Sequence, residues 1–156
     1  AWFGPPSDEV TQMIPGVLLE RAVPPDADAV LDLSESLFEA FDGRPDGTFK
    51  LVRHLLRTSS RGGRFSVHGS VQARRAGWAL VRLEVLEAAS IQRSEGEWSA
   101  LRRRATELEG AIGHEEADGQ RRLWLTLNLV THRAGRASMD PRLSGMKVAL
   151  DIATIS

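Results

Sequence analysis

Apolar and polar side chains alternate most regularly from Arg64 onward. Phe65, Val67, Gly69 and Val71 interleave with Arg64, Ser66, His68, Ser70 and Gln72, the period of two that marks a strand with one buried and one wet face. Residues 74–77 (RRAG) read as a turn. Residues 78–87 resume the alternation, with Val81, Leu83 and Val85 on one side and Arg82 and Glu84 on the other. Two such runs joined by a short loop containing glycine predict a β-hairpin. A helix follows with hardly any linker. Ser94 and Glu97 form an S-x-x-E capping box, which satisfies two otherwise free backbone donors. Trp98, Leu101, Ala105, Leu108 and Ile112 then recur at spacings of three and four, one narrow apolar seam within a helix predicted over residues 94–113. Arg102, Arg103, Arg104, Glu107 and Glu109 cover the rest. Such a seam suits packing against another helix better than filling a large core.

The remaining pattern is less uniform. Residues 1–12 begin with Trp2 and Phe3, and Pro5 and Pro6 oppose regular structure; they read as an extended arm, its aromatic pair resting on a partner or on this domain's own surface. Residues 14–23 form a short apolar run broken by Pro15 and Gly16, for which strand is the better reading. Residues 26–42 are two-valued. Val30, Leu33, Leu37 and Phe41 suit a helix capped by Asp26 or Asp28, whereas Ala29, Leu31 and Leu33 alternate as in a strand; the pattern favours helix. Residues 43–47 (GRPDG) read as a turn, residues 48–58 as a strand with Phe49, Leu51, Arg53 and Leu55 on one side, and residues 59–63 as a loop. Residues 48–87 thus predict three successive antiparallel strands. Residues 114–120 read as a loop. In residues 121–133, Leu123, Leu127 and Val130 suit a returning helix, while Leu123, Leu125, Leu127 and Leu129 alternate as a strand, which fits slightly better. Residues 135–145 read as a loop and 146–155 as an edge strand.

A length of 156 residues favours one domain, or a small domain with an appendage, and an apolar content of 42% is enough for a core. Twenty basic against 21 acidic side chains give a net charge of −1, so no overall field for nucleic acid or an anionic membrane is visible. The absence of cysteine excludes disulfides and thiolate chemistry. No apolar run approaches the roughly 20 residues needed to cross a bilayer, and no signal or transit peptide is visible. Candidate chemistry is sparse. His54, His68, His114 and His132 do not fall at metal-ligand spacing; His54 and His68, both on expected strands, are placed to face each other. There is no nucleophile elbow and no glycine-rich phosphate loop. Glu115 and Glu116 sit in an expected loop, where a solvated role outweighs acid–base work. The Arg74-Arg75, Arg102–Arg104 and Arg121-Arg122 clusters are scattered over different elements. On the residues alone the chain is a soluble α+β domain without a catalytic, cofactor or metal site.

The order of elements resembles the small central-stalk subunit of F-type ATP synthases, called epsilon in bacteria and delta in mitochondria. Phe65, Val67, Gly69, Ser70 and Val71, followed by VRLEVLEAA with Val81, Leu83 and Val85, match that family's most recognisable stretch. A helix starting at Ser94 falls at the family's distance, and residues 14–33 are similar to its first hairpin. The similarity runs over roughly residues 10–134. It departs at residues 36–45, where the family's Gly-aromatic-Gly turn and His-x-Pro are missing, and in a Leu-rich second arm. The resemblance implies an α+β fold: an N-terminal antiparallel β-sandwich (residues 13–91), preceded by an arm (1–12), then a helical hairpin (94–134) held by the Trp98, Leu101, Ala105, Leu108 and Ile112 seam, and an extension (135–156). It makes residues 26–42 strand-like and residues 121–133 helical. The implied function is that of a non-catalytic rotor subunit coupling c-ring rotation to the gamma shaft. Its expected partners are gamma, the c ring and, in mitochondria, the small epsilon subunit, with no nucleic acid, no cofactor, and membrane contact only through the complex. Its expected place is the matrix side of the mitochondrial inner membrane or the cytoplasmic face of a bacterial one. The alternative is an unrelated α+β structural subunit of a large complex.

Overall fold

The long hairpin at residues 65–88 is the centre of the fold. In a computed structural model, which describes residues 10–131, the chain runs β1 (Thr11–Met13), α1 (Pro15–Ala22), β2 (Ala29–Leu33), a 3-10 turn (Glu35–Phe38), β3 (Phe41–Gly43), α2 (Pro45–Ser59), a short 3-10 turn (Ser60–Gly62), β4 (Phe65–Arg75), β5 (Trp78–Ala88), α3 (Glu95–Glu107), β6 (Gly110–Ala117) and β7 (Gln120–Thr131). The expected N-terminal aromatic anchor, the C-terminal extension, its edge strand and His132 lie outside the described residues.

The seven strands of the described residues join one sheet, six of them in the order β1-β3-β7-β5-β4-β2 and β6 paired to β7 beside this path. β6 lies on the same edge of β7 as β3: β6 pairs with residues 120–127 and β3 with residues 130–131. β2 runs parallel to β4, and the other pairings are antiparallel. The register aligns side chains in rows across the sheet. Leu31, Val67, Val85, Leu123 and His114 form one row; Leu33, Gly69, Leu83, Leu125 and Ile112 form the next. Successive strand residues point to opposite faces, so these rows share a face, and the three helices cover it. Leu18, Leu19 and Ala22 of α1, Leu51, Val52, Leu55 and Leu56 of α2, and Leu101 and Ala105 of α3 join the sheet's inner side chains in a single apolar core. The other face carries Asp32, His68, Glu84 and Trp124 in one row. The result is a two-layer α/β sandwich with helices on one side of a mixed sheet.

This overturns the expected β-sandwich followed by a helical hairpin. α3 stops at Glu107, where Glu109 takes a left-handed φ of 62°. The chain then returns as β6 and β7, so Ile112 belongs to the sheet, not to a helical seam. The second expected helical arm is a strand, and its alternating Leu123, Leu125, Leu127 and Leu129 are all buried. Strand pattern at residues 121–133 was the correct signal, because only a period of two buries all four leucines against the same helices. Residues 26–42 contain no α-helix: they divide into β2, a turn capped by the Ser34 side chain, and β3.

The expected strands at residues 14–23 and 48–58 are helices. Pro15 and Pro45 do not break structure; each stands in the first turn of its helix, where a missing N–H costs nothing and φ is already helical. In α2 the buried positions are Thr48, Leu51, Val52, Leu55, Leu56, Thr58 and Ser59; all but Thr58 follow the i, i+3, i+4, i+7 stripe of a half-buried helix. The expected hairpin is present, with Arg74 and Arg75 paired in β4 and the turn shortened to Ala76 and Gly77, and the Ser94–Glu97 capping box is present.

Candidate functional site

One face of α2 is buried in the core, and the adjacent stripe is basic. Phe49, Lys50, Arg53, His54 and Arg57 fall at i, i+1, i+4, i+5 and i+8 along α2, so they line up on one side of the helix. Across from them α3 presents Ala100 and Arg104, again four apart. Together these side chains line a cavity of about 460 Å³ between the two helices. Its residues carry four full positive charges, Lys50, Arg53, Arg57 and Arg104, and no carboxylate. None of the four has an ion-pair partner among the described residues. Four of the chain's 20 lysine and arginine side chains meet here.

Two polar atoms of this wall, Arg53 Nε and His54 Nε2, are buried without a hydrogen-bond partner among the described residues. Buried polar atoms are nearly always satisfied, and leaving one unpaired is costly. The Arg53 guanidinium lies 5.9 Å from the centre of the Phe49 ring. Burial holds the His54 imidazole below its ordinary value of 6.5; Glu97 opposes this, and Arg104, Arg61 and Arg57 push it further down. The free groove therefore favours a neutral His54 among cations.

Two ion-pair assemblies brace the groove. At its side, Arg61 grips Glu97 at 2.6 Å and donates to the Gln92 carbonyl at 3.1 Å, tying the turn after α2 to the start of α3. Glu97 also accepts from the Ser94 N–H, and these bonds lower its pKa to about 2, the Arg61 hydrogen bond contributing most. At the C-terminal end of α2, Ser59 donates to Glu87 at 2.6 Å and Thr58 accepts from Arg93 at 3.0 Å. Arg121 of β7 also reaches Glu87, at 2.9 Å. The Arg93 guanidinium lies 5.0 Å from the Trp98 ring centre, and Trp98 stacks on His114 at 4.3 Å. This chain of contacts fixes the angle at which α3 faces α2.

The residues singled out by sequence lie elsewhere. Phe65, Val67, Gly69, Val71, Val81, Leu83 and Val85 occupy the helix-facing side of the hairpin, and Ser70 the other side. Gly69 has a structural reason: a Cβ there would come within 2.7 Å of the buried Leu37 Cδ1. Trp98, Leu101 and Ala105 lie on α3, and Leu108 ends it. None of these lines the basic groove. His54 and His68 do not meet; His68 pairs with Asp32 on the far face of the sheet. The sequence pattern singles out Arg53, as a strand residue, and Arg104, within the Arg102–Arg104 cluster, but joins neither to Lys50 and Arg57. The available signal is the helical spacing of cations over residues 50–57, which the strand-like alternation of Phe49, Leu51, Arg53 and Leu55 hides.

A larger hollow of about 600 Å³ lies between β1, α1 and the start of α2, lined by Met13, Ile14, Val17 and Leu18 among others. Phe49 borders both spaces.

The sequence matches no family model, and no curated protein is similar to it in sequence. The fold does have solved relatives. Full-length ShkA in complex with AMPPNP superposes with a TM-score of 0.64 at 14% identity, over 81% of this chain and 32% of that one. The catalytic domain of histidine kinase ThkA gives 0.59 at 10% identity, over 76% of this chain and 95% of that one. A mycobacterial sensor histidine kinase, MprB, gives 0.53 at 11% identity, over 78% and 100%. The chain thus spans about a third of full-length ShkA and almost the whole of the isolated ThkA catalytic domain. At these identities the shared property is the fold, that of histidine-kinase catalytic domains. The central-stalk resemblance is overturned by it. With it fall the rotor function and the non-enzyme reading, the gamma, c-ring and epsilon partners, and the placement at a mitochondrial or bacterial energy-coupling membrane. No helix among the described residues is long and apolar enough to cross a membrane.

Proposed function

We propose that this chain is a signalling domain of the histidine-kinase catalytic type that holds the phosphate chain of a nucleotide in the groove between α2 and α3. The observation that carries this reading is the convergence of Lys50, Arg53, Arg57 and Arg104, which have no ion-pair partners among the described residues, on one cavity beside Arg53 Nε and His54 Nε2, likewise unpartnered among those residues. Guanidinium groups suit phosphate oxygens because their donors form a planar fork that binds two oxygens at once. The fold supports the choice of anion, since the ShkA structure carries AMPPNP. As a kinase-type domain its partners are other kinase domains or response regulators, the proteins between which a phosphoryl group passes.

Calorimetric titration of the chain with ATP, ADP and inorganic tripolyphosphate tests the reading. Saturable binding of all three is expected, because the phosphates carry the recognition. Arg53→Ala and Arg104→Ala each lower the affinity by about tenfold, the usual effect of losing one charge-assisted contact. Absence of saturation at millimolar ligand, or binding indifferent to both substitutions, rules the reading out.

A further inference from the structure

The charge of the groove bears on the form in which a nucleotide enters it. Nucleotides usually reach their proteins with Mg²⁺, a hard cation that takes oxygen ligands and is commonly fixed by one or two carboxylates together with the phosphates. The groove walls supply nothing of that kind. Their polar side chains are Lys50, Arg53, His54, Arg57 and Arg104. Among the described residues no group of three His, Cys, Asp or Glu side chains is arranged to hold a metal ion. Glu97, which acts on His54 electrostatically, is already engaged by Arg61 and the Ser94 N–H. A divalent cation here meets uncompensated positive charge instead of ligands. Mg²⁺ does not fit this site.

We infer that the groove selects the metal-free polyphosphate over its magnesium complex, its own arginines and lysine taking the place that a metal occupies in other nucleotide sites. This rests on the nucleotide reading above and sharpens it. Metal-free ATP presents roughly four negative charges and its magnesium complex roughly two, and the attraction to a fixed set of cations scales with that charge. A site that binds nucleotide by charge alone therefore loses affinity when Mg²⁺ is added, whereas a site that shares the metal gains it.

The experiment is titration of the full chain with ATP in EDTA and in excess Mg²⁺, with ionic strength matched because exposed charges are screened by salt. Inorganic tripolyphosphate is run in both arms as the base-free probe. Binding in EDTA at least about tenfold tighter than in Mg²⁺ is expected for both probes, given the halved ligand charge. Equal or tighter binding in Mg²⁺ overturns the inference and leaves the nucleotide reading standing. No binding in either arm removes both. Lys50→Gln and Arg57→Gln supply a second measurement, since both side chains are exposed and their loss spares the core. Each narrows the ratio between the two arms by weakening the EDTA arm more. A ratio unchanged by both substitutions also overturns the inference.

Discussion

Arg93 and Glu87 meet in a forked ion pair from which water is excluded: Nη1 lies 2.6 Å from Oε2, Nη2 lies 2.7 Å from Oε1, and both side chains are 0% exposed. Arg121 approaches the same carboxylate and donates to the backbone carbonyls of Ile91 and Ala89, so the loop after β5 is held from β7. Burial pushes the Glu87 pKa up, but hydrogen bonds from Arg93 and Ser59, the Arg93 charge and the Arg121 bond outweigh it, and the net direction is down. Two guanidiniums share this carboxylate, Arg121 also pairing with the more exposed Glu116. Glu87→Ala leaves both without their buried counter-charge, and breaking such a pair from one side costs about 3–5 kcal/mol. Urea denaturation of the variant measures this. A loss below about 1 kcal/mol contradicts the burial of the cluster, since that is the range of exposed pairs.

The parts of this fold legible in the sequence are those whose partners are close in the chain. Phe65 to Val85 announced the hairpin because each strand's alternation is complete and the turn lies between them. Ser94 and Glu97 announced the start of α3 because the capping box is local. α2 was missed because Phe49, Leu51, Arg53 and Leu55 also alternate, while two members of its true buried stripe, Thr48 and Ser59, are small polar residues that do not register as core. β6 was missed although Asp118 and Gly119 carried the signal: both take positive φ, 55° and 78°, as a tight two-residue hairpin turn requires. The parallel pairing of β2 with β4 leaves no local trace. The basic groove joins residues some fifty positions apart, so its existence follows only from the packing of α3 against α2.

The β6–β7 contact depends on one missing side chain. A Cβ at Gly110 would collide with the backbone carbonyl oxygen of Thr126 and come within 3.0 Å of Leu127 Cδ2. Backbone in a paired strand cannot swing aside as a flexible side chain can. Gly110→Ala therefore destabilises by about 1–3 kcal/mol, as overpacking generally does. Gly96 is the internal contrast. It stands in the first turn of α3, and its nearest neighbour would be Ser94 Oγ at 3.8 Å, so Gly96→Ala stabilises by up to about 1 kcal/mol through helix propensity. Thermal denaturation of the two variants should move in opposite directions.

The start of α3 sets an acid limit. Ser94→Ala removes the acceptor for the Glu97 N–H, 3.0 Å away, and costs about 1 kcal/mol, typical of a lost N-cap. Glu97 has a pKa lowered from 4.5 to about 2 in the folded chain, first by its Arg61 hydrogen bond and then by the Ser94 N–H. A carboxylate with a depressed folded pKa contributes stability that is complete above its unfolded value and is lost as pH falls through the folded one. Between pH 4.5 and 2 the wild type should lose stability more steeply than Glu97→Gln, with the two curves converging at the acid end. Parallel curves across that window count against the assignment.

His54 links the groove to pH. In the free protein its pKa lies below 6.5, through burial first and then the neighbouring Arg104, Arg61 and Arg57 charges, against the pull of Glu97. The unfolded chain then binds the proton more readily than the folded one, so His54 withdraws stability as pH falls below 6.5. A polyanion in the groove reverses the electrostatics: it offsets those guanidiniums and favours the imidazolium. Binding therefore takes up a proton, and affinity rises as pH falls through the interval between the free and bound pKa values. One linked proton limits the slope to about tenfold per pH unit. Phosphate ligands titrate in the same region, so the quantity to measure is the difference in pH slope between wild type and His54→Gln, titrated with the same tripolyphosphate. A steeper wild-type slope is expected. Identical slopes would place His54 outside the reach of the bound anion and move the phosphate site away from the centre of α2.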